Sequence, residues 1–128
     1  MSKKETLFYK AIKKDIIGMG FTLHRIENIV NCGTPDILGF HKNIGYFTLE
    51  LKTTNNDKVI ISSYQIAFNK TAYNNGAKAF YLVKAPEQRL FKLYKGNMGL
   101  ELANRMAKTS PLIQDSSIKK IFSYLLGS

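Results

Sequence analysis

Two short segments of the sequence carry side chains that could hydrolyse a phosphate ester. Asp36 follows the turn-forming residues 33–35, and thirteen residues separate it from Glu50, which is followed by Leu51 and Lys52. Two converging carboxylates repel each other unless a cation lies between them, and Mg²⁺ prefers one or two carboxylates with water and phosphate oxygens. We therefore predict an oxygen-ligated Mg²⁺ site, with Lys52 beside the phosphate to stabilise negative charge or to position and deprotonate the attacking water.

The elements that must position these groups follow from hydrophobic periodicity. Helical spacing of apolar residues predicts helices over residues 3–19 and 62–73, and alternation predicts strands over residues 21–27, 37–41 and 46–52. A nearly continuous apolar run over residues 78–85 is typical of a strand buried on both faces. Within residues 46–52, alternation sends Glu50 and Lys52 to one face of the strand, and the turn before Asp36 brings its carboxylate beside them.

This order of elements indicates a mixed α/β sheet in which the second helix crosses to the buried strand. Residues 89–94 alternate and are expected to form its hairpin partner, whereas residues 98–108 and the apolar positions from Ile118 to Leu125 predict two further helices. We expect a single domain over residues 1–128, with a core over about residues 3–95 and a C-terminal helical addition over about residues 96–128.

These motifs resemble those of the PD-(D/E)XK nuclease superfamily. The sequence Gly-Thr-Pro-Asp at residues 33–36, followed by Glu-Leu-Lys at residues 50–52, carries that resemblance. The VRR-Nuc branch is similar in two further places, an early helical glutamate, here Glu5, and a helix that opens with Ser62 and Gln65. The match covers roughly residues 3–85 and implies a restriction-endonuclease-like αβββαβ fold with metal-dependent nuclease activity.

The resemblance also implies a division of roles at the site. Asp36, Glu50 and the backbone carbonyl of Leu51 would bind the metal, while Lys52 would serve the water and the phosphate. Glu5, as a further metal ligand, and Gln65 would support catalysis. Each of them lies at the start of a predicted helix.

Glu5 and Gln65 each have a second interpretation. Each lies three residues after a serine at a predicted helix start, the spacing of a capping box, in which the later side chain bonds back to the helix N-terminus. For Glu5 we favour the site, because it lies one turn before Phe8 on the side of the helix that faces the sheet. For Gln65 both interpretations stay open.

The net charge indicates the kind of substrate. Nineteen Lys and Arg against nine Asp and Glu leave a formal charge of +10, which concentrates polyanions, and nucleic acid is the natural partner. Charge alone does not separate binding from simple solvation. Arg25, Lys42 and Lys58 flank the predicted site strands or lie in the loops beside them, and they are our candidates for contacting nucleic acid.

The composition limits which metal the protein can bind and indicates its cellular location. Cys32 is the only cysteine, and His24 and His41 are the only histidines, so zinc would have too few ligands. No stretch approaches the ~20 apolar residues of a membrane helix. We expect a cytoplasmic protein, associated with the nucleoid or with viral DNA, that does not bind membranes.

Together these features predict a Mg²⁺-dependent endodeoxyribonuclease, in which Mn²⁺ substitutes for Mg²⁺. Small stand-alone proteins similar to this one tend to cut Holliday junctions as homodimers, so branched DNA is the expected substrate and double-stranded DNA the broader class. A site-specific homing or restriction-type endonuclease, with a C-terminal third that reads base edges, is an alternative. A non-catalytic nucleic-acid-binding module is the alternative of another class.

Overall fold

The computed structural model describes residues 2–26 and 33–127, except for the side chain of Ala107. The described residues form four helices and six strands in addition to three short 3-10 turns. The helices are α1 (Lys3–Asp15), α2 (Ser63–Asn74), α3 (Gly99–Arg105) and α4 (Ile118–Gly127). The strands are β1 (Thr22–Arg25), β2 (Ile37–His41), β3 (Gly45–Thr53), β4 (Ala79–Ala85), β5 (Leu90–Lys95) and β6 (Ile113–Asp115).

The six strands form one mixed sheet in the order β1-β2-β3-β4-β5-β6. β3 and β4 are parallel, and the other neighbouring pairs are antiparallel. A parallel pair needs a crossover connection, which α2 provides between β3 and β4. The chain order α1-β1-β2-β3-α2-β4 confirms the predicted αβββαβ core. The sheet order places β3 in the interior of the sheet.

Both faces of the sheet are covered by helices. On one face, α1 packs on β3 and α4 packs on β5 and β6, and the buried cluster there includes Phe8, Ile12, Phe47, Leu49, Leu51, Leu82, Ile121 and Phe122. On the other face, α2, α3 and the segment before α2 cover a smaller cluster, Val59, Ile61, Tyr81, Val83, Tyr94, Leu102 and Met106. A polar side chain of β3 that points to this second face is therefore buried unless it lies at the end of the strand.

The structure corrects three details of the sequence-based expectations. α1 ends at Asp15 rather than at residue 19, and the chain then turns through Gly18 and Gly20, which both have positive φ. The helix predicted over residues 98–108 is shorter, because a 3-10 turn replaces its last residues. The C-terminal addition is not purely helical, since β6 pairs with β5; three residues are too few to show alternation in the sequence.

Some expectations concern residues outside this description. The end of the first predicted strand at Glu27 and the single cysteine, Cys32, both lie outside the described residues. In the part of the chain that the structure describes, no helix has both the length and the apolar character needed to cross a membrane.

The turn that precedes β2 depends on a close approach of backbone to backbone. Gly33 has φ +80°, and a Cβ atom at this position would collide with the backbone carbonyl of Tyr64 in the first turn of α2. Glycine thus lets the segment that leads to Asp36 lie directly against the start of α2.

We expect Gly33→Ala to destabilise the protein more than Gly45→Ala. Gly45 also has positive φ, but a Cβ atom there meets nothing within 4 Å. Gly45→Ala should cost roughly 1–2 kcal/mol for the left-handed backbone alone, and Gly33→Ala should add ~1–3 kcal/mol for the collision. Urea denaturation of both variants measures the difference, and equal losses of unfolding free energy would contradict the close approach.

Candidate active site

Glu50 and Lys52 lie on the face of β3 that is covered by α2. Glu50 is 1% exposed and Lys52 is 8% exposed, whereas Leu49 and Leu51 belong to the cluster on the opposite face. The alternation of side chains seen in the sequence therefore holds in the structure. The two charged side chains approach each other, with Lys52 Nζ 4.0 Å from Glu50 Oε2.

Asp36 reaches the same end of β3 from the start of β2. Its Oδ2 accepts a hydrogen bond of 2.9 Å from the backbone N–H of Leu51. The β2–β3 register pairs Ile37 with Leu49, so its continuation places Pro35 opposite Leu51. Proline has no N–H and cannot donate to the Leu51 carbonyl, as an ordinary ladder residue would. The Asp36 carboxylate thus accepts the hydrogen bond from Leu51 N–H that a backbone carbonyl of β2 would accept in a regular sheet. The Leu51 carbonyl receives no hydrogen bond from Pro35, its opposite residue in this register.

Burial and proximity make the two carboxyl groups weak acids. Burial, followed by the charge and the hydrogen bond of Asp36, raises the pKa of Glu50 from its ordinary 4.5 to about 10. Burial likewise raises the pKa of Asp36, against the lowering effect of its hydrogen bonds with Glu50 and Leu51. Lys52 lowers both pKa values without offsetting the burial. In the absence of a cation, the pair therefore holds a proton at neutral pH.

Gln65 joins the site to the start of α2. Its Nε2 donates to Glu50 Oε2 at 3.1 Å, and its Oε1 accepts from Lys52 Nζ at 3.0 Å. The same Oε1 accepts from the backbone N–H of Ser62, and Ser62 Oγ accepts from the backbone N–H of Gln65, which completes a capping box. The two interpretations that the sequence left open for Gln65 are thus compatible, since one amide both caps the helix and contacts the charged pair.

Glu5 caps α1 and lies close enough to the site for its charge to act there. Its Oε1 accepts a hydrogen bond of 3.1 Å from the backbone N–H of Ser2, and the capping box of α1 is complete. The Glu5 charge contributes to the raised pKa of both Asp36 and Glu50. Within the described residues, however, no three Asp, Glu, His or Cys side chains are grouped as a metal site, so a ligand role for Glu5 stays a prediction.

The donor set at this end of β3 suits a hard cation. Glu50 Oε1 is buried and accepts no hydrogen bond from a backbone or side-chain donor among the described residues. Once the carboxyl pair has released its proton, this oxygen is available to a cation. Together with the Asp36 carboxylate and the Leu51 carbonyl, it gives oxygen ligands only. Mg²⁺ binds through one or two carboxylates and completes its shell with water and substrate oxygens, so the residues present fit this ion.

The three candidate cations occupy different places around the site. Arg25 ends β1 and lies opposite Ile37, and its guanidinium donates to Thr6 Oγ1 at 3.4 Å beside the start of α1. Lys58 is exposed in the turn that follows β3. Lys42 is exposed in the β2–β3 hairpin, at the opposite end of both strands from the carboxylates. The structure thus brings Arg25 and Lys58, but not Lys42, to the end of the sheet that carries the site.

The structure also shows a second buried lysine that the sequence analysis does not single out. Lys92 of β5 is 8% exposed and lies opposite Val83 of β4, which in turn lies opposite Lys52. The two lysines therefore share one row and one face of the sheet. The available signal was the alternation over residues 89–94, which places Lys92 on the same inward face as Tyr94.

Comparisons with known proteins support the fold. No protein-family model matches the chain, and no curated protein sequence matches it. Among solved structures, the chain is similar to Hjc of Archaeoglobus fulgidus, a Holliday junction resolvase from an archaeal hyperthermophile, with a TM-score of 0.52 and 20% sequence identity. The match covers 76% of each chain. The α/β fold is thus restriction-endonuclease-like, as expected, while the narrower resemblance to the VRR-Nuc branch stays a prediction.

The proton held by the carboxyl pair predicts an unusual dependence of stability on pH. Above pH 4.5 an unfolded Glu50 releases its proton, whereas the folded protein keeps it up to about pH 10. The folded state then binds more protons, so in EDTA the free energy of unfolding should fall as pH rises through this window. Thermal melts between pH 5 and pH 9 check this expectation.

Glu50→Gln is the matched variant for this measurement, because it removes the acid with little change in shape. It should melt at a higher temperature than the wild type in EDTA at alkaline pH, by roughly 2–8 °C for each kcal/mol recovered. Mn²⁺ should raise the melting temperature of the wild type and leave that of Glu50→Gln unchanged. A wild type whose stability in EDTA rises with pH over this window would contradict the assignment.

Proposed function

We propose that this protein is a Mg²⁺-dependent DNA endonuclease that hydrolyses phosphodiester bonds in branched DNA such as Holliday junctions. The observation that carries the proposal is the carboxylate pair of buried Glu50 and half-buried Asp36, with Lys52 in the same hydrogen-bonded network as Glu50. Such a pair is costly to bury, and a bound cation would relieve that cost. Among the described residues, the side chains of this network offer oxygen ligands and no histidine, which favours a hard, oxygen-binding metal over zinc.

The metal would be held by Asp36, Glu50 and the Leu51 carbonyl, with Glu5 as a further candidate ligand. When bound, Mg²⁺ supplies Lewis acidity toward a phosphate oxygen and lowers the pKa of a coordinated water. The protein's own contribution is orientation. The hydrogen bond from Leu51 N–H fixes Asp36, and the amide of Gln65 fixes one oxygen of Glu50. Preorganised groups of this kind need no rearrangement when charge develops on the phosphate.

Lys52 would act on the phosphate. The Gln65 Oε1 atom holds its ammonium at 3.0 Å, and the Glu50 carboxylate attracts it from 4.0 Å. A lysine held in place in this way can stabilise the negative charge that develops on the phosphate oxygens, or position the attacking water. A flexible surface lysine would first have to lose side-chain entropy to do the same.

DNA as the substrate is supported by the charge of the chain. The formal net charge is +10, and Arg25 and Lys58 lie at the end of the sheet that carries the carboxylates. Each phosphate neutralised by a cation releases counterions, so we expect binding that weakens steeply with salt. This local positive charge would also offset the repulsion between the DNA backbone and the acidic site.

Branched DNA and a homodimer are the finer parts of the proposal. They are supported by the similar fold of Hjc, described as a Holliday junction resolvase. One chain presents a single candidate site in its described residues, so paired cuts in two strands require two copies, and a twofold axis suits a four-way junction. Sedimentation at twice the chain mass of 14.5 kDa is the expected result.

A cleavage assay tests the proposed activity. Four-way junctions, flaps, single strands and linear duplexes are incubated with the wild type in Mg²⁺, Mn²⁺ or EDTA. We expect metal-dependent cutting of the junction that falls by ~10²-fold or more in Asp36→Ala and Lys52→Ala, while binding of DNA persists. Glu101→Ala and Lys10→Ala remove the same charges at exposed positions and should cut like the wild type.

Each departure from this pattern has a definite meaning. Unchanged cutting by Asp36→Ala would reject the assigned site. Discrete cuts in linear duplex with none in junctions would reject branched DNA in favour of a site-specific endonuclease. Tight, salt-sensitive binding without metal-dependent cutting by the wild type would identify a non-catalytic nucleic-acid-binding module.

The double role of Gln65 gives a separate prediction. Ser62→Ala and Gln65→Ala both break the α2 capping box, so each should cost about 1 kcal/mol of stability. Only Gln65→Ala also removes the contacts to Glu50 and Lys52, and it should slow cutting by ~10-fold or more, as supporting contacts to metal ligands do. Equal single-turnover rates for the two variants would show that Gln65 is a cap alone.

A further inference from the structure

The segment that leaves β3 forms a tight turn over residues 55–58. The backbone N–H of Asn55 donates to the carbonyl of Lys58 at 2.9 Å, and the N–H of Lys58 donates back at 3.1 Å. Between them, Asn56 and Asp57 have φ of 52° and 60°. Two successive left-handed residues characterise the two-residue hairpin turn, and Asn and Asp tolerate this conformation better than other residues with a side chain.

This turn is anchored by Glu87, which lies in the connection between β4 and β5. Thr54 Oγ1 lies 2.7 and 2.9 Å from the two carboxylate oxygens of Glu87, and the backbone N–H of Asp57 donates to Oε1 at 3.0 Å. The hydrogen bonds from the backbone N–H of Asp57, from the backbone N–H of Glu87 itself and from the Thr54 hydroxyl lower the pKa of Glu87. Gln88 adds a hydrogen bond of 3.2 Å to Asp57 Oδ1.

The tip of the turn presents only polar groups to solvent. Residues 55–58 are all exposed, whereas Thr54 on one side is 3% exposed and Val59 on the other is 5% exposed. The turn therefore adds nothing to the core, although three donors, the hydroxyl of Thr54, the N–H of Asp57 and the amide of Gln88, tie it and its base to residues 87 and 88. Left-handed residues with side chains persist where the surrounding structure determines them, often at functional sites.

The position of the turn relates it to the candidate active site. Thr54 lies two residues after Lys52 on a chain that rises ~3.3 Å per residue, so the base of the turn is ~7 Å from the Lys52 backbone. The exposed groups of the tip include the amides of Asn55 and Asn56 and the ammonium of Lys58. Amides and ammonium groups bond to phosphate and sugar oxygens and to base edges, which are the polar groups of a nucleic acid.

We propose that the 55–58 turn is a preformed DNA contact, positioned by Glu87, that binds the nucleic-acid backbone next to the phosphate held at Lys52. This inference rests on the proposed function, because it takes DNA as the substrate. Glu87 is a positioning residue: it does not touch DNA, and its carboxylate acts only by holding Thr54 and Asp57.

The first test measures binding of a labelled four-way junction in EDTA as a function of salt. Lys58→Ala should weaken binding ~5-fold or more and reduce the salt slope by about 1, as the loss of one phosphate contact does. Lys95→Ala removes the same charge from an exposed position at the opposite end of the sheet and should change affinity less than ~2-fold. Equal losses in the two variants would overturn the proposal.

The second test asks whether Glu87→Ala weakens or tightens DNA binding. On net charge alone, Glu87→Ala should tighten binding to a polyanion, as Glu101→Ala should. If Glu87 positions the turn, Glu87→Ala should instead weaken binding ~3-fold or more with an unchanged fold by circular dichroism. In addition, Lys58→Ala should weaken DNA binding less in the Glu87→Ala protein than in the wild type, and a double-mutant cycle measures this coupling. Tighter binding by Glu87→Ala would overturn the proposal.

The backbone of the turn provides a third variant. Asn56→Gly keeps the left-handed conformation, which glycine adopts freely, and removes only the amide. Weaker junction binding by a protein of unchanged stability is the expected result, and wild-type affinity would show that the Asn56 amide makes no contact.

The failure of this proposal can be told apart from the failure of the proposed function. A wild type that binds the junction without cutting it rejects the endonuclease activity, and the binding tests still decide on the turn. A wild type that cuts, with Lys58→Ala and Glu87→Ala that bind normally, rejects the turn alone. Absence of junction binding by the wild type rejects both.

Discussion

The close approach of a buried Glu50 and a half-buried Asp36 at one end of β3 is the constraint on which the rest of the site depends. Glu50 lies on a covered face of the sheet, and Asp36 approaches it because the turn before β2 lies against the first turn of α2. Neither group can be fully ionised there without a compensating charge. Lys52 supplies only part of that charge, so the arrangement is one that a divalent cation would stabilise.

Two helices carry the polar side chains that act on the carboxyl pair of Asp36 and Glu50. α1 and α2 lie on opposite faces of the sheet. The third residue of α2, Gln65, contacts Glu50, and the third residue of α1, Glu5, is close enough for its charge to raise the pKa of both carboxyl groups. Both residues also close capping boxes. Replacing either residue removes a helix cap, so a loss of activity in such a variant has to be separated from a loss of helix stability.

The sequence predicted the core elements because their signals are local. Alternation over residues 46–52 correctly placed Glu50 and Lys52 on one face, and the Gly-Thr-Pro turn correctly preceded β2. The length of α1 was overestimated, since apolar spacing continued past the point where Gly18 changes the backbone direction. Strand β6 was missed because its pairing with β5 is a property of the assembled sheet rather than of three residues.

These local signals do not predict contacts between residues that are far apart in the sequence. Glu87 and Thr54 are far apart in sequence, and only the β3–α2–β4 crossover brings their ends of the sheet together. The same holds for the row that aligns Lys92 with Lys52. Alternation along a strand indicates which face of the sheet a side chain occupies. The order of strands in the sheet decides which residue lies beside it, and the sequence alone does not show that order.

We propose that Asp36 and Glu50 form a cation site by giving up the proton they share. Calorimetric titration of the protein with Mn²⁺ at neutral pH, in two buffers of different ionisation enthalpy, measures both binding and proton release. We expect saturable binding with net release of a proton, and loss of both in Asp36→Ala and Glu50→Gln. Binding without proton release, or binding that survives either substitution, would contradict it.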